Sequence, residues 1–352
     1  MRDNRKAALF VSNWFSVLGQ QYSGYTPQLV SKLQERGWQV TAASARPQRV
    51  VRLFDMCLTA WRARHNYNVA QIDIFSGPAF LWAEAVVGML RLLRKPYILT
   101  LHGGNLPAFA RRWPGRIRRL LMSATAVTTP SRYLLEQMAR YRTDVILLPY
   151  ALDLSHYHPR LPDQSVQPRL VWLRAFHAIY NPVLAAQTVA RLKDEFPSLR
   201  LTMIGPDKKD GTLQAFQRAV YELGVDGHVD WPGGVPKADV PLWLQRGDIF
   251  LNTTTAESFG VSVMEAAAMG LCIVTTNVGE LSYLWEDGVD ALLVPPNDPD
   301  AMAAAVRRIL TEPDLAARLS RNARRKAEQF DWETILPQWE RLLTEVAARG
   351  CP

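Results

Sequence analysis

Two glutamates separated by seven residues, Glu257 and Glu265, flank the stretch Ser258-Phe259-Gly260-Val261-Ser262. A strand is expected to end near Asn252, a loop to carry Glu257 to Gly260, and a helix to open at about Val261. Gly260 lets backbone come close to a ligand, and the unpaired N–H groups of a first helical turn attract an anion. A diphosphate suits such a place. Glu265, one turn further in, is placed to accept hydrogen bonds from a ribose diol. Glu257, outside the helix, is placed to reach a sugar beyond the diphosphate. The helix continues Ala266-Ala267-Ala268-Met269-Gly270, small residues for tight packing with a glycine to end it. Two glutamates at this spacing also occur by chance, and a surface glutamate is usually only solvated. The Phe-Gly pair and the alanine-rich helix between and after them are what make the pair chemically pointed.

A second candidate is His102, followed by Gly103-Gly104 at the end of an apolar run. Two readings stand open: a core histidine with satisfied nitrogens, or a neutral imidazole held for a hydroxyl ligand. Asp298-Pro299-Asp300 fits the D-x-D pattern of divalent-metal sites, but proline in the first turn after Asp298 is what a helix cap looks like. Cys57, Cys272 and Cys351 are scattered with no CxxC pair, which argues against a disulfide framework and a cysteine zinc site. No metal site is expected. No G-x-G-x-x-G follows the first strand, so a nicotinamide dehydrogenase is excluded as the leading reading.

The elements that must position these residues are legible from periodicity. Strand-like runs at 7–11, 39–43, 71–75, 97–101, 126–129 and 145–148 alternate with helical stretches at 28–35, 78–94 and 115–124. A His-, Pro-, Asp- and Gln-rich stretch at 155–168 reads as a linker. A second series follows, with strands at 170–173, 199–204, 249–251, 273–275 and 291–294 and helices at 183–195, 213–223, 263–269 and 299–310. Such alternation means βαβ units and parallel sheets, whose ligands sit at the carboxyl ends of the strands. The expected fold is α/β, with domains at 1–160 and 168–330. An amphipathic helix at 332–349, with Ile335, Leu336, Trp339, Leu342, Leu343 and Val346 on one face, is expected to pack back on the first domain. A chain of 352 residues is long for a single core, which also favours two.

Hydrophobic residues are 48% and charged residues 21% of the chain, an ordinary globular balance. No window reaches the run of about 18 apolar residues that a membrane span requires. The cationic N-terminus precedes an apolar run too short for a signal peptide, so a cytoplasmic protein is expected. The net charge of +8 is uneven: residues 1–150 hold 21 Lys/Arg against 7 Asp/Glu. From 85 to 135 there are nine basic residues and no acidic one, and 111–119 alone holds five arginines with Trp113 and Ile117 among them. A solvated face is the plain reading. With no compensating acid nearby, an anionic membrane surface is favoured. No nucleic-acid module accompanies the charge, so nucleic acid is not an expected partner.

Taken together these segments resemble the retaining glycosyltransferases of family 4, also called glycosyl transferases group 1. Their signature is E-G-F-G-x-x-x-x-E-A-M-A-x-G, and this chain reads E-S-F-G-V-S-V-M-E-A-A-A-M-G from Glu257. Thr100-Leu101-His102-Gly103, Thr129-Pro130-Ser131, Ile204-Gly205, Gly279-Glu280, 286–296 and Phe330-Asp331-Trp332 follow the family as well, so the resemblance covers nearly the whole chain. It implies the GT-B architecture: two facing Rossmann-like doubly wound domains with an interdomain cleft, the donor held mainly by the second and the acceptor by the first. It implies transfer of a sugar from a nucleoside diphosphate to an acceptor hydroxyl with retained configuration. The acceptor would be a saccharide or lipid-linked. No cofactor is implied beyond the nucleotide-sugar donor itself.

Residue by residue, the family's roles fall on His102 for a donor sugar hydroxyl, Arg174 for the diphosphate and Glu257 for the sugar. Donor-binding positions are Gly19, Gly205, Lys208, Gly233, Val235, Ser258, Phe259, Gly260, Val261, Ser262 and Glu265. The chain departs from the pattern twice. Its first loop reads Leu18-Gly19-Gln20-Gln21 rather than carrying a Gly-Gly pair, and no lysine occurs within 175–181, leaving Lys208 or Lys209 to supply a second cation. These departures sustain an alternative: a catalytically silent sugar-nucleotide or polysaccharide-binding protein of the same fold.

Overall fold

Buried apolar runs assemble into two parallel sheets. The structure is a computed structural model and describes residues 6–12, 24–44, 46, 48–159 and 165–350. The chain divides into one unit made of Met1–Ala151 and Trp332–Pro352 and another made of Leu152–Asp331. Among the described residues no helix is long and apolar enough to cross a membrane.

In the first unit, β1 (Ala7–Val11), β2 (Gln39–Ala43), β3 (Val69–Ile74), β4 (Tyr97–Leu101), β5 (Ala126–Thr129) and β6 (Val145–Leu147) are ordered β2-β1-β3-β4-β5-β6. Every pairing is parallel. The connecting helices are α1 (Tyr25–Glu35), α2 (Arg49–Arg62), α3 (Ala79–Leu92), α4 (Leu106–Arg112), α5 (Pro114–Met122) and α6 (Arg132–Met138). Crossovers are right-handed, so reversing the direction of travel at β1 puts α1 on one face and α2 to α6 on the other. The packing agrees: Met56, Phe80, Leu106, Ile117 and Leu134 share one core, while Leu29 and Leu33 share another with the last helix, Trp332–Arg349. There Trp339 donates from Nε1 to the Tyr25 hydroxyl at 3.0 Å.

In the second unit, β7 (Arg169–Leu173), β8 (Arg200–Ile204), β9 (Val229–Gly233), β10 (Ile249–Asn252), β11 (Cys272–Thr276) and β12 (Leu292–Val294) are ordered β12-β11-β10-β7-β8-β9, again all parallel. The helices are α7 (Pro182–Leu192), α8 (Thr212–Glu222), α9 (Val240–Leu244), α10 (Val261–Ala268), α11 (Leu281–Leu284), α12 (Pro299–Thr311) and α13 (Pro313–Glu328). The strand order reverses between β7 and β10, and a doubly wound sheet opens its ligand crevice at such a point.

Seven elements escape a reading by periodicity, β9, α2, α4, α6, α9, α11 and α13, and three of them show a physical reason. Strand β9 carries Pro232 and Gly233, tolerable because it is an edge strand. Helix α13 buries mostly small side chains, Ala316, Ser320, Ala323 and Ala327, beneath a charge-rich exterior. Helix α2 has apolar residues on both its buried and its exposed sides, which blurs the period. The stretch 155–168 is not a plain linker in its described part. Leu152 bridges Asp331, and Tyr157 is buried against Glu265, so these residues belong to the second unit.

Candidate functional site

The strand-order reversal of the second unit collects most of the residues singled out above. Arg174 leaves the end of β7, and the loop after β10 carries Glu257 to α10. The two side chains form an ion pair that is nearly closed to water, with 14% and 10% of their surfaces exposed. The Arg174 guanidinium also lies 5.0 Å above the Tyr180 ring. Glu257 Oε1 accepts from the backbone N–H groups of Ser258 at 2.9 Å and Phe259 at 3.3 Å. A carboxylate thus already occupies backbone donors leading into α10, where an anionic ligand would compete for the same charge. Two buried polar atoms here lack partners, Arg174 Nε and Ser262 Oγ. Buried orphan donors cost stability and mark where a ligand supplies the missing acceptors.

Glycine is required where these elements meet. Gly260 caps α10 at φ 94°, without a side-chain cap, and a Cβ there would come 2.9 Å from Leu281. A Cβ on Gly205 would fall 1.6 Å from the Arg174 carbonyl oxygen, so the ends of β7 and β8 approach only because the side chain is missing. Gly205→Ala is therefore expected to lower stability by more than about 1 kcal/mol in urea unfolding. An unchanged midpoint and slope would show that this approach is not needed.

Glu265 sits on α10, with 3% of its side chain exposed. The Lys237 ammonium is ion-paired to its Oε1, and the Tyr157 hydroxyl donates to the same oxygen at 2.5 Å. Burial and then the adjoining Glu265 charge push the Tyr157 hydroxyl far above its ordinary pKa, so it remains a donor at any working pH. The lysine that reaches a site glutamate is thus Lys237. Lys208 stays exposed, with its backbone N–H bonded to the Phe176 carbonyl at 3.2 Å. The Gly233 carbonyl accepts from Gly205 N–H at 2.9 Å, and Val235 is half-buried on the turn beyond β9. Phe259 is buried edge-on to Phe330, at 5.9 Å between ring centres. Val261 and Ser262 form the first turn of α10.

His102 lies in the first unit, at the end of β4, with 4% of its side chain exposed. Its Nε2 is 2.8 Å from Asp73 Oδ1 and its Nδ1 is 2.5 Å from the Tyr150 hydroxyl. Asp73 also accepts from Ser12, from Thr26 at 2.7 Å and from Gln71 at 2.7 Å. Burial acts to raise the Asp73 carboxyl, but the His102 charge and the bonds from His102, Ser12 and Gln71 outweigh it and hold the group below the usual carboxylate range. An ionised Asp73 only accepts, so Nε2 carries a proton. Both imidazole nitrogens are therefore engaged within the unit. A sugar hydroxyl would have to exchange one of these bonds, and half-buried Tyr150 is the partner able to yield. Gly19 lies outside the described residues.

Sequence reasoning missed Asp73, Tyr150, Tyr157 and Lys237. Asp73 had a readable signal: Gln71 and Asp73 are two polar residues on one face of an otherwise apolar, fully buried strand. Tyr157 and Lys237 belong to no motif. Asp298 is a helix cap, its Oδ1 accepting from Ala301 N–H at 2.9 Å, and Asp300 is paired with Arg191. The expectation that the arginine-rich segment has no acid nearby is corrected: Glu84 on α3 pairs with Arg116 from the neighbouring helix, leaving Arg111, Arg112, Arg118 and Arg119 exposed.

Residues 162–326, nearly all of the second unit, match the family described as glycosyl transferases group 1. Curated relatives include D-inositol 3-phosphate glycosyltransferases of Streptomyces avermitilis, 24% identical over 72% of this chain and 58% of that protein, and of Paenarthrobacter aurescens, 26% identical over 72% and 65%. The chain thus spans about three-fifths of the length of these relatives. Among solved structures, the sucrose-phosphate synthase of Thermosynechococcus elongatus superposes with a TM-score of 0.80 over 98% of this chain and 100% of that one, at 18% identity. Anabaena HepE in complex with UDP-glucose superposes with a TM-score of 0.75 over 96% and 99%, at 15% identity. At these identities the likeness establishes the fold: both are two-domain α/β proteins of the GT-B kind.

Proposed function

We propose, from the match of residues 162–326 to the group 1 glycosyl transferases, that the chain transfers a sugar from a nucleoside-diphosphate sugar to an acceptor hydroxyl with retention of configuration. The second unit holds the donor and the first unit the acceptor, a saccharide or lipid-linked molecule in polysaccharide, lipopolysaccharide or glycolipid assembly. The observation that carries this reading is the buried Arg174–Glu257 pair at the strand-order reversal, beside the backbone donors of Ser258 and Phe259 and the start of α10. HepE, of the same fold, is known in complex with UDP and with UDP-glucose, which makes a uridine diphosphate sugar the first donor to try.

In this reading the diphosphate lies against the N-terminus of α10, whose dipole and N–H groups favour negative charge. Arg174 turns from Glu257 toward the phosphate oxygens, using its fork of donors. Glu265 accepts from the ribose hydroxyls and Glu257 from the sugar. The bond between the anomeric carbon and the phosphate oxygen breaks while the acceptor oxygen attacks from the same face, and its proton passes to the departing phosphate. Arg174 and the α10 amides stabilise the charge that grows there. The arginines of 111–119 rest on an anionic membrane surface at the cytoplasmic face, near a lipid-linked acceptor.

Calorimetric titration with a panel of nucleoside diphosphates and their sugars tests the donor site. One nucleotide bound per chain is expected, and a folded protein that binds none contradicts the reading. We also propose that no divalent metal is needed, since Asp298 and Asp300 are engaged as a cap and an ion pair. Transfer is expected to continue unchanged in excess EDTA. Complete loss that magnesium restores would reverse this.

A further inference from the structure

Helix α2 exposes a row of large apolar side chains: Val50 (66%), Val51 (44%), Phe54 (69%), Leu58 (41%) and Trp61 (46%). At about 100° per residue these five fall within an arc of about 100°. The opposite side carries the buried residues Arg52, Met56 and Ala60, which fasten the helix to its unit. Single exposed hydrophobics need no explanation, but a continuous stripe marks an interaction surface. Exposed Arg49 and Arg62 stand at the two ends of the helix, half-buried Asp55 lies beside the stripe, and the Arg64 guanidinium lies 4.7 Å over the Trp61 ring.

The neighbouring helices extend the pattern. Arg52 lies 4.9 Å over Trp82 of α3, and Glu84 of α3 pairs with Arg116 of α5. All three helices cover one face of the sheet through a common core, so their outer sides form one layer directed away from it. That layer adds Leu81 (55%) and Leu92 (78%) from α3 and exposed Arg118 and Arg119 from α5. Nucleic acid would use the arginines but leave the stripe in water. A narrow apolar arc with exposed arginines at the ends of its helix and on neighbouring α5 fits a helix lying in the plane of an anionic bilayer, with its apolar face among the upper acyl chains.

We propose that α2 is the membrane-inserting element of the first unit, its stripe entering the lipid boundary while the arginines of α2 and α5 engage lipid phosphates. This rests on the membrane contact set out under the proposed function and names the part of the fold that makes it. It has a consequence that charge alone lacks: apolar insertion resists salt, whereas attraction between exposed charges is screened.

The test is co-sedimentation of the full chain with vesicles of phosphatidylcholine alone or mixed with phosphatidylglycerol, at low and high salt. Wild-type protein is expected to bind the acidic vesicles and to retain part of that binding at high salt. The triple variant Phe54→Ser, Leu58→Ser, Trp61→Ser is expected to bind about tenfold more weakly or worse, with nucleotide binding and circular dichroism unchanged. The single variant Phe54→Ser, a smaller perturbation of the fold, should weaken binding in the same direction. The charge variant Arg62→Glu, Arg118→Glu, Arg119→Glu should lose most of the salt-sensitive part and keep the rest. If the serine variants bind acidic vesicles as wild type does, α2 is not the inserting element although the membrane reading stands. If wild type ignores acidic vesicles at low salt, the membrane reading itself falls. Gel filtration would then separate the other occupants. A wild-type dimer that the serine variants dissolve would make the stripe an interface between copies, and overturn the proposal.

Discussion

Arg174→Ala is expected to lower turnover about 100- to 1,000-fold, the usual effect of removing one preorganised group from developing charge. Donor affinity should fall by much less. On the proposed placement, the diphosphate of the bound donor already meets the backbone amides at the start of α10. As the glycosidic bond breaks, further charge gathers on the leaving oxygen, and a guanidinium held at that point gains interaction only then. The arginine is well prepared for this: 14% of its side chain is exposed, Tyr180 supports its plane, and Nε lacks a partner. Arg174→Lys should recover part of the loss, since it restores the charge but not the planar fork. Steady-state kinetics beside calorimetric donor affinity separate the two effects. An equal loss in both, or none, contradicts a role at the leaving group.

Glu265→Ala is expected to weaken nucleoside diphosphate binding by roughly 100- to 10,000-fold, because two charge-assisted hydrogen bonds are removed at about 1.5–3 kcal/mol each. The substitution also deprives Lys237 and the Tyr157 hydroxyl of their acceptor. Tyr157 is buried, so stability should fall as well, by about 1–3 kcal/mol for the unsatisfied donor. Glu265→Gln distinguishes the two consequences. It keeps an acceptor for Tyr157 and much of the stability, while its neutral amide binds ribose less tightly than a carboxylate. Unchanged nucleotide affinity in the folded alanine variant would refute the ribose assignment.

Much of this arrangement was legible in the sequence, because it depends on local chemistry. The strands are short β-branched runs, the helices between them amphipathic, and Gly260 stands where a left-handed cap is needed. That Arg174, Gly205 and Glu257 converge follows from their being at strand ends near one reversal of strand order. What could not be read were the partners that tertiary packing supplies. Lys237 reaches Glu265 from a turn with no motif, and Tyr157 does so from a stretch whose polar composition reads as a linker. Asp73 and Tyr150 hold His102 from positions 29 and 48 residues away in the chain. The exposed stripe of α2 was invisible for the opposite reason. Apolar residues in a sequence are assumed to face a core, and only the packed structure tells which of them do not.

On the proposed function, the second unit binds a nucleotide sugar in order to cleave it. Proton NMR of an α-linked nucleoside-diphosphate sugar, followed in real time with the protein and a pool of saccharide and lipid-linked acceptors, tests this most directly. The donor's anomeric signal is expected to decay, free nucleoside diphosphate to appear in step, and a new α-anomeric signal to grow, all slowed about 100- to 1,000-fold by Arg174→Ala. A donor that binds and is never consumed, or a product of β configuration, would contradict it.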